Sequence, residues 1–206
     1  MASPALGANP SARYGASMET GAANEGRYTA TRYFALVEEG LLAPDERVEL
    51  LDGIIVAMPP QAPPHATGVR RVDRALRLAL GADVLLSSQL PFIAGASSVP
   101  EPDMAVLPGR IEDYETHHPT TALLVVEVAD SSLAQDRLTK TRIYARAGIP
   151  NYWIVNLRDL VVEWFGDPDP TTRTYRAKGT AAATARLPLA AFPDVTITAA
   201  DLLPPA

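Results

Sequence analysis

Two apolar rhythms alternate along this chain, one near 3.6 residues and one near two, and they divide it into elements. Ala30, Tyr33, Phe34 and Val37 follow helical spacing; Thr29 can cap the run and Gly40 can end it. Residues 47–58 form two short apolar runs around Asp52-Gly53, a pair that accepts the positive φ angles of a tight hairpin. Residues 59–64 read as a stiff proline loop, and residues 65–80 as a helix with Val69, Val72, Leu76 and Leu80 on one side. Residues 84–90 and 103–107 read as strands separated by a Gly/Ser/Pro-rich turn. Residues 123–128 are a nearly continuous apolar run broken by one acid, the pattern of a buried central strand. Asp130, Ser131 and Ser132 can cap a helix reaching Ala147, closed by Gly148 and Pro150. Residues 152–156 read as another strand, and residues 160–165 and 173–176 as a terminal hairpin. Past Leu187 the chain is Pro-rich with short apolar pieces. Strands, then a helix, then a strand predict an α/β fold, a mixed central β-sheet flanked by helices.

Composition narrows the class. A chain of 206 residues fits one domain with a real core. Residues 1–26 are rich in Ala, Gly, Ser, Asn and Pro, too poor in large apolar groups to offset ordering entropy. The expectation is a disordered tail over 1–26 and a domain over 27–206. The apolar fraction is 47% and the mean hydropathy +0.02, within the range of folded soluble proteins. No basic head precedes an apolar run at the N-terminus, so the cytoplasm is the expected location. The absence of cysteine excludes disulfides and thiolate metal sites. The net charge of −6 opposes a protein that coats nucleic acid nonspecifically, because such binding rests on phosphate neutralisation. It opposes a nuclease less, since carboxylates that hold metal need only a local basic patch.

Three residues carry the candidate chemistry. Glu127 lies inside Leu-Leu-Val-Val-Glu-Val; a carboxylate in a buried strand costs several kcal/mol, roughly, unless paired or metal-bound. The plain alternative is that its side chain alternates to an exposed face. Asp103 opens a strand after Glu101-Pro102, and is either a turn-forming acid or a partner of Glu127. Together they would offer hard oxygen ligands suited to Mg²⁺ or Mn²⁺. Lys140 lies eight residues past Ser132, roughly 12 Å of helix at ~1.5 Å per residue, which returns it level with Glu127 if the helix packs back along its strand. It can equally be an i,i+4 partner of Asp136 on a solvated face. Glu49, ahead of the hairpin, is either a further acid of the site or a strand-edge charge. Arg70, Arg74 and Arg77 share one helix face and can meet phosphates, although Asp73 can pair with Arg77. His65 reads as a structural residue at a helix start, and His117 and His118 fall in a loop.

These residues sit in segments that resemble the Uma2 family, a bacterial group of restriction-endonuclease-like proteins. The matching pieces are Val48-Glu-Leu-Leu-Asp-Gly53, His65, Gln89-Leu-Pro91, Pro100-Glu-Pro-Asp-Met-Ala-Val106, Leu124-Val-Val-Glu-Val-Ala-Asp-Ser-Ser132, Asp136-Arg137 with Lys140 and Tyr144, and Ala147-Gly-Ile-Pro-Asn-Tyr-Trp-Ile-Val155. In that order they cover residues 28–203. The resemblance implies the PD-(D/E)xK restriction-endonuclease-like fold, with Asp103 and Glu127 binding a divalent metal. The usual lysine position, two residues past the second acid, is Ala129 here. The family supplies its lysine from the following helix, which matches Lys140, and Glu49 matches an acid ahead of the core strands.

The implied function is a Mg²⁺- or Mn²⁺-dependent endonuclease that hydrolyses DNA phosphodiester bonds. Two alternatives stand beside it: a catalytically weak DNA-binding or assembly module on the nuclease fold, and an enzyme that uses the same acids on another substrate. A homodimer is expected, because nucleases that cut both strands often pair two sites by two-fold symmetry, and residues 187–192 offer an apolar segment for it.

Overall fold

Helix α1 (Ala30–Glu38) begins where Thr29 accepts from the Arg32 amide and ends just before Gly40, whose φ of +68° stops the spiral. In the computed structural model, which describes residues 27–43, 46–81 and 84–205, α1 buries Ala30, Tyr33 and Leu36. Val37, expected on the buried stripe, is turned outwards. The tail expected over residues 1–26 lies outside the described residues.

Strands β1 (Val48–Leu51) and β2 (Ile54–Ala57) form the predicted hairpin, with Asp52 at φ +47° and Gly53 at φ +84°. Both central residues take positive φ, the geometry that matches the right-handed twist of the strands. Helix α2 (Pro63–Leu80) starts inside the segment expected as a proline loop, because proline fits the first helical turn, where its missing N–H is no loss.

The main sheet holds six strands in the order β3 (Leu85–Ser87), β4 (Met104–Leu107), β5 (Leu124–Ala129), β6 (Asn151–Asn156), β7 (Val161–Asp169), β8 (Thr174–Ala181). Only β5 and β6 pair in parallel, so the sheet is mixed. Strand β3 is shorter than residues 84–90, since the backbone turns to φ +54° at Gln89. The parallel β5–β6 pair requires a crossover, and the helical run after β5 provides it. That run is not the uninterrupted helix expected: α3 (Leu133–Gln135) and α4 (Thr141–Arg146) flank a wide π turn over Asp136–Lys140.

Alternation along β5 divides the core. Leu124, Val126 and Val128 pack with α2 residues Val72, Ala75 and Leu76 on one face. Val125 and Ala129 pack with Ile143, Tyr144 and Ala145 of α4 on the other. The hairpin and α1 enclose a third cluster around Leu50 and Leu36. Beyond β8, Leu187, Leu189, Ile197 and helix α5 (Ala199–Leu202) complete the α2-side core. The apolar residues Leu187 and Leu189 are therefore buried within their own chain. Among the described residues no helix is long and apolar enough to cross a membrane.

Candidate functional site

The site forms where β4 and β5 end against α2, the hairpin and the π turn. Antiparallel pairing sets Met104 across from Val126; one step further the same register sets Asp103 across from Glu127, so both belong to the same side-chain parity. Glu127 takes the α4 side of the sheet, and its side chain is buried rather than turned to solvent. Five charged residues meet in this region at very low exposure: Asp136 1%, Glu49 3%, Glu127 3%, Lys140 5% and Asp103 7%. All five line one cleft of about 680 Å³, its open mouth included, together with His65 and Glu101.

Lys140 is the hub. Its ammonium donates to Glu127 Oε1 at 3.0 Å, lies 3.2 Å from Glu49 Oε2 and 4.0 Å from Asp136 Oδ1. Its placement next to Glu127 follows from the fold-back of the helical run over its own strand, and the Asp136 pairing considered in sequence is present too, but inside the molecule. Burial opposes its charge, yet Glu127, Glu49 and Asp136 outweigh that and hold its proton more tightly than usual.

The acids do not gain equally. One ammonium is shared by three carboxylates, so each carboxylate is under-compensated. Burial, with Asp136, Asp103 and Glu49 nearby, pushes Glu127 well above the ordinary carboxylate range despite Lys140. Burial likewise raises Asp136 from 3.8 to about 6. Tyr144 donates to Glu127 Oε1 at 2.8 Å, and its own hydroxyl is held protonated by burial and by that carboxylate. Both protein donors to Glu127 thus use Oε1.

Asp103 is held differently. Its Oδ1 accepts from His65 Nε2 and Gln89 Nε2, both at 3.1 Å, and its Oδ2 accepts the Val128 N–H at 2.8 Å. Burial alone would raise this carboxyl, but those hydrogen bonds and the charge on His65 hold it below its usual value. A carboxylate only accepts, so His65 Nε2 carries the hydrogen, and the bond to Asp103 raises the imidazole against the opposing effect of burial. His65 is more than a helix-start residue. Gln89 is presented by its left-handed backbone, fixed by its N–H to Pro102 O at 2.9 Å.

Glu49 reaches the site because the hairpin is stitched to the chain that leads into Asp103: Leu50 and Val99 form an isolated antiparallel bridge. Its Oε1 accepts from Gln135 Nε2 at 3.0 Å. Asp136 is supported by the π turn, whose carbonyl accepts from the Thr141 N–H, from Thr141 Oγ1 at 2.9 Å and from the Tyr152 hydroxyl at 3.2 Å. The site members that residue-by-residue reading missed (Gln89, Tyr144 and Asp136 as a buried acid) all fall in the pieces that carry the family resemblance. His117 and His118 are exposed; His118 stacks on Phe34, and His117 lies tilted against Tyr114. Arg77 is paired with Asp73, while Arg70 and Arg74 stand exposed on α2.

The model of the Uma2 family, described as "Putative restriction endonuclease", matches residues 31–200. The chain belongs to the Uma2 family. No curated protein matches it. A crystal structure from Anabaena variabilis, described as a putative nuclease belonging to DUF820, is similar at TM-score 0.63 and 15% identity, over 81% of this chain and 96% of that one. That likeness shows the restriction-endonuclease-like fold. The type IIG restriction endonuclease BpuSI is similar at TM-score 0.35 and 19% identity, over 55% of this chain and 12% of that chain.

The donor set suits a hard divalent cation: oxygen ligands, and more carboxylates than neighbouring cations. Asp136 Oδ1 is buried with no hydrogen-bond partner, an orphaned acceptor that a cation would satisfy. Among the described residues no three His, Asp or Glu side chains are already assembled around one point as a metal site. The Lys140 ammonium lies between Glu49 and Glu127 instead.

Proposed function

We propose that this Uma2 protein is a cytoplasmic, metal-dependent endonuclease that hydrolyses DNA phosphodiester bonds. The observation that carries this reading is the burial of Asp103, Glu127, Glu49 and Lys140 around one cleft in the restriction-endonuclease-like fold. In this reading Asp103 and Glu127 hold Mg²⁺ or Mn²⁺. When bound, the metal lowers the pKa of water and offsets charge on the phosphoryl oxygens. Hydrolysis adds the water oxygen to phosphorus, breaks one P–O ester bond and returns a proton to the departing oxygen. Lys140, whose ammonium pairs with Glu49 and Glu127, supplies a compact positive charge for the phosphate. His65 and Gln89 fix the Asp103 carboxylate, and Tyr144 fixes Glu127 through Oε1, so that Oε2 is not taken up by these donors.

The test is nicking of supercoiled plasmid with Mg²⁺ or Mn²⁺, comparing the natural chain with Glu127→Gln and Asp103→Asn. Metal-dependent nicking that both substitutions abolish is expected; nicking that survives both ends the reading. A second reading is a DNA-binding module with little catalysis. It is favoured by the Asp103 carboxylate, which already accepts three hydrogen bonds from its own protein. DNA binding in chelator, with no cleavage in any divalent metal, would select it.

A further inference from the structure

We infer that Asp136 is a ligand of the divalent cation, and that with Glu49 and Glu127 it forms a carboxylate cage in which the Lys140 ammonium stands in for that cation. The inference rests on the metal-dependent reading above and adds to it a residue and an exchange. Asp136 is 1% exposed and lines the cleft. Its Oδ2 accepts from Ser132 Oγ at 2.7 Å, whereas Oδ1 has no hydrogen-bond partner and is directed towards the ammonium at 4.0 Å. A buried, unpartnered carboxylate oxygen is costly, and among the described residues no hydrogen-bond donor relieves it.

The cage closes around a point charge. Lys140 Nζ lies 3.0 Å from Glu127, 3.2 Å from Glu49 and 4.0 Å from Asp136, each on a different element. A metal ion held by the same oxygens would draw them in to ~2.0–2.1 Å for Mg²⁺ or ~2.3–2.6 Å for a larger cation. The wide turn over Asp136–Lys140 places both residues inward, and such turns concentrate at functional sites. The choice of lysine bears on this too. The chain has sixteen arginines and two lysines, Lys140 and Lys178. A compact ammonium fits among three carboxylates as a spherical ion does, where a planar guanidinium would impose a fork. Two positive charges would balance the cage better than one, which gives a divalent cation the advantage over the ammonium. On exchange, Lys140 is released towards the cleft, where a phosphate would lie.

Two measurements test this without reference to cleavage. Mn²⁺ binding followed by electron paramagnetic resonance is compared among the natural protein, Asp136→Asn and Asp103→Asn. Asp136→Asn is expected to weaken binding about tenfold or more, the scale for disturbing a metal centre. The second measurement labels amines on the natural protein with and without Mn²⁺, with the exposed Lys178 as internal control. Mn²⁺ is expected to increase Lys140 labelling several-fold and to leave Lys178 unchanged. If Asp136→Asn fails to fold, the labelling alone decides. Binding that Asp103→Asn weakens but Asp136→Asn does not, or Lys140 labelling indifferent to Mn²⁺, overturns the inference and leaves the metal-dependent reading standing. No Mn²⁺ binding by the natural protein overturns both.

Discussion

Replacing Lys140 by methionine isolates the charge at the centre of the site, since methionine nearly matches the volume of the lysine stem and opens little cavity. In sequence, Lys140 as an i,i+4 surface partner of Asp136 would be worth about 0.3–0.5 kcal/mol. The structure changes that magnitude, because the ammonium is 5% exposed and pairs with Glu127 at 3.0 Å and Glu49 at 3.2 Å. At an effective dielectric near 20, a unit pair at such separations is worth about 5 kcal/mol before desolvation is subtracted. Removing the lysine regains its own desolvation but leaves three buried carboxylates unpaired. A loss of about 3–5 kcal/mol is expected, the range for breaking one side of a buried pair. The assay is urea unfolding at pH 7 in chelator, against the same measurement near pH 4.5. Glu127 is raised well above the carboxylate range and Asp136 to about 6. Asp136 therefore takes up a proton as pH falls through about 6, and the variant's deficit should shrink on acidification. Lys140 itself keeps its proton throughout that window. A deficit under about 1 kcal/mol at pH 7, or one that grows on acidification, would refute the buried-network account.

Three further outcomes follow from the same structure. Because Asp136 is raised from 3.8 to about 6, the protonated form is favoured in the folded state, so natural stability falls as pH rises from about 4 to 6. Asp136→Asn should gain up to about 3 kcal/mol over the natural chain above pH 6 in chelator, with the gain vanishing near pH 4; a gain independent of pH would contradict it. A chain that begins at Arg27 should keep the cooperative thermal transition, and its loss would show that residues 1–26 supply core. A two-fold dimer is expected for a double-strand cutter, and light scattering at working concentration checks it; since Leu187 and Leu189 are spent on the internal core, the contact must use another surface.

The parts of this fold that sequence displays are those governed by short-range periodicity. Helix α1 with its Thr29 cap, the Asp52-Gly53 hairpin and the single acid in β5 each follow from residues close together in the chain. Even the approach of Lys140 to Glu127 follows from strand and helix rise once the helix folds back. What was not legible depends on distant partners. Gln135 meets Glu49 across 86 positions, and the hairpin is tied to the chain ahead of Asp103 by the Leu50–Val99 bridge and by the Gly53 N–H to Ser97 O. The π turn carries no periodic signature, since Thr141 and Tyr152 stabilise it through hydroxyls that bond one carbonyl. His65 looked structural because a lone histidine near a helix start usually is, and only the chain reversal at Gln89 shows the second donor that converges on Asp103.

The distribution of buried polarity argues that the cluster is kept for chemistry rather than for the fold. Among the described residues nine polar or charged side chains are buried, and five of them, Glu49, Asp103, Glu127, Asp136 and Lys140, line the one cleft. Two large apolar clusters already hold both faces of the sheet without them. Buried ion networks of this kind are often matched or exceeded in stability by apolar residues of similar volume. The direction of the shifts agrees: Glu127 and Asp136 are both held above their ordinary values, so their charges work against the folded chain at neutral pH. Asp103, by contrast, is stabilised as an anion by three donors at its own position. One carboxylate satisfied as an anion beside two whose charge burial disfavours, all on one cleft, is a pattern that supports the metal-dependent reading proposed above.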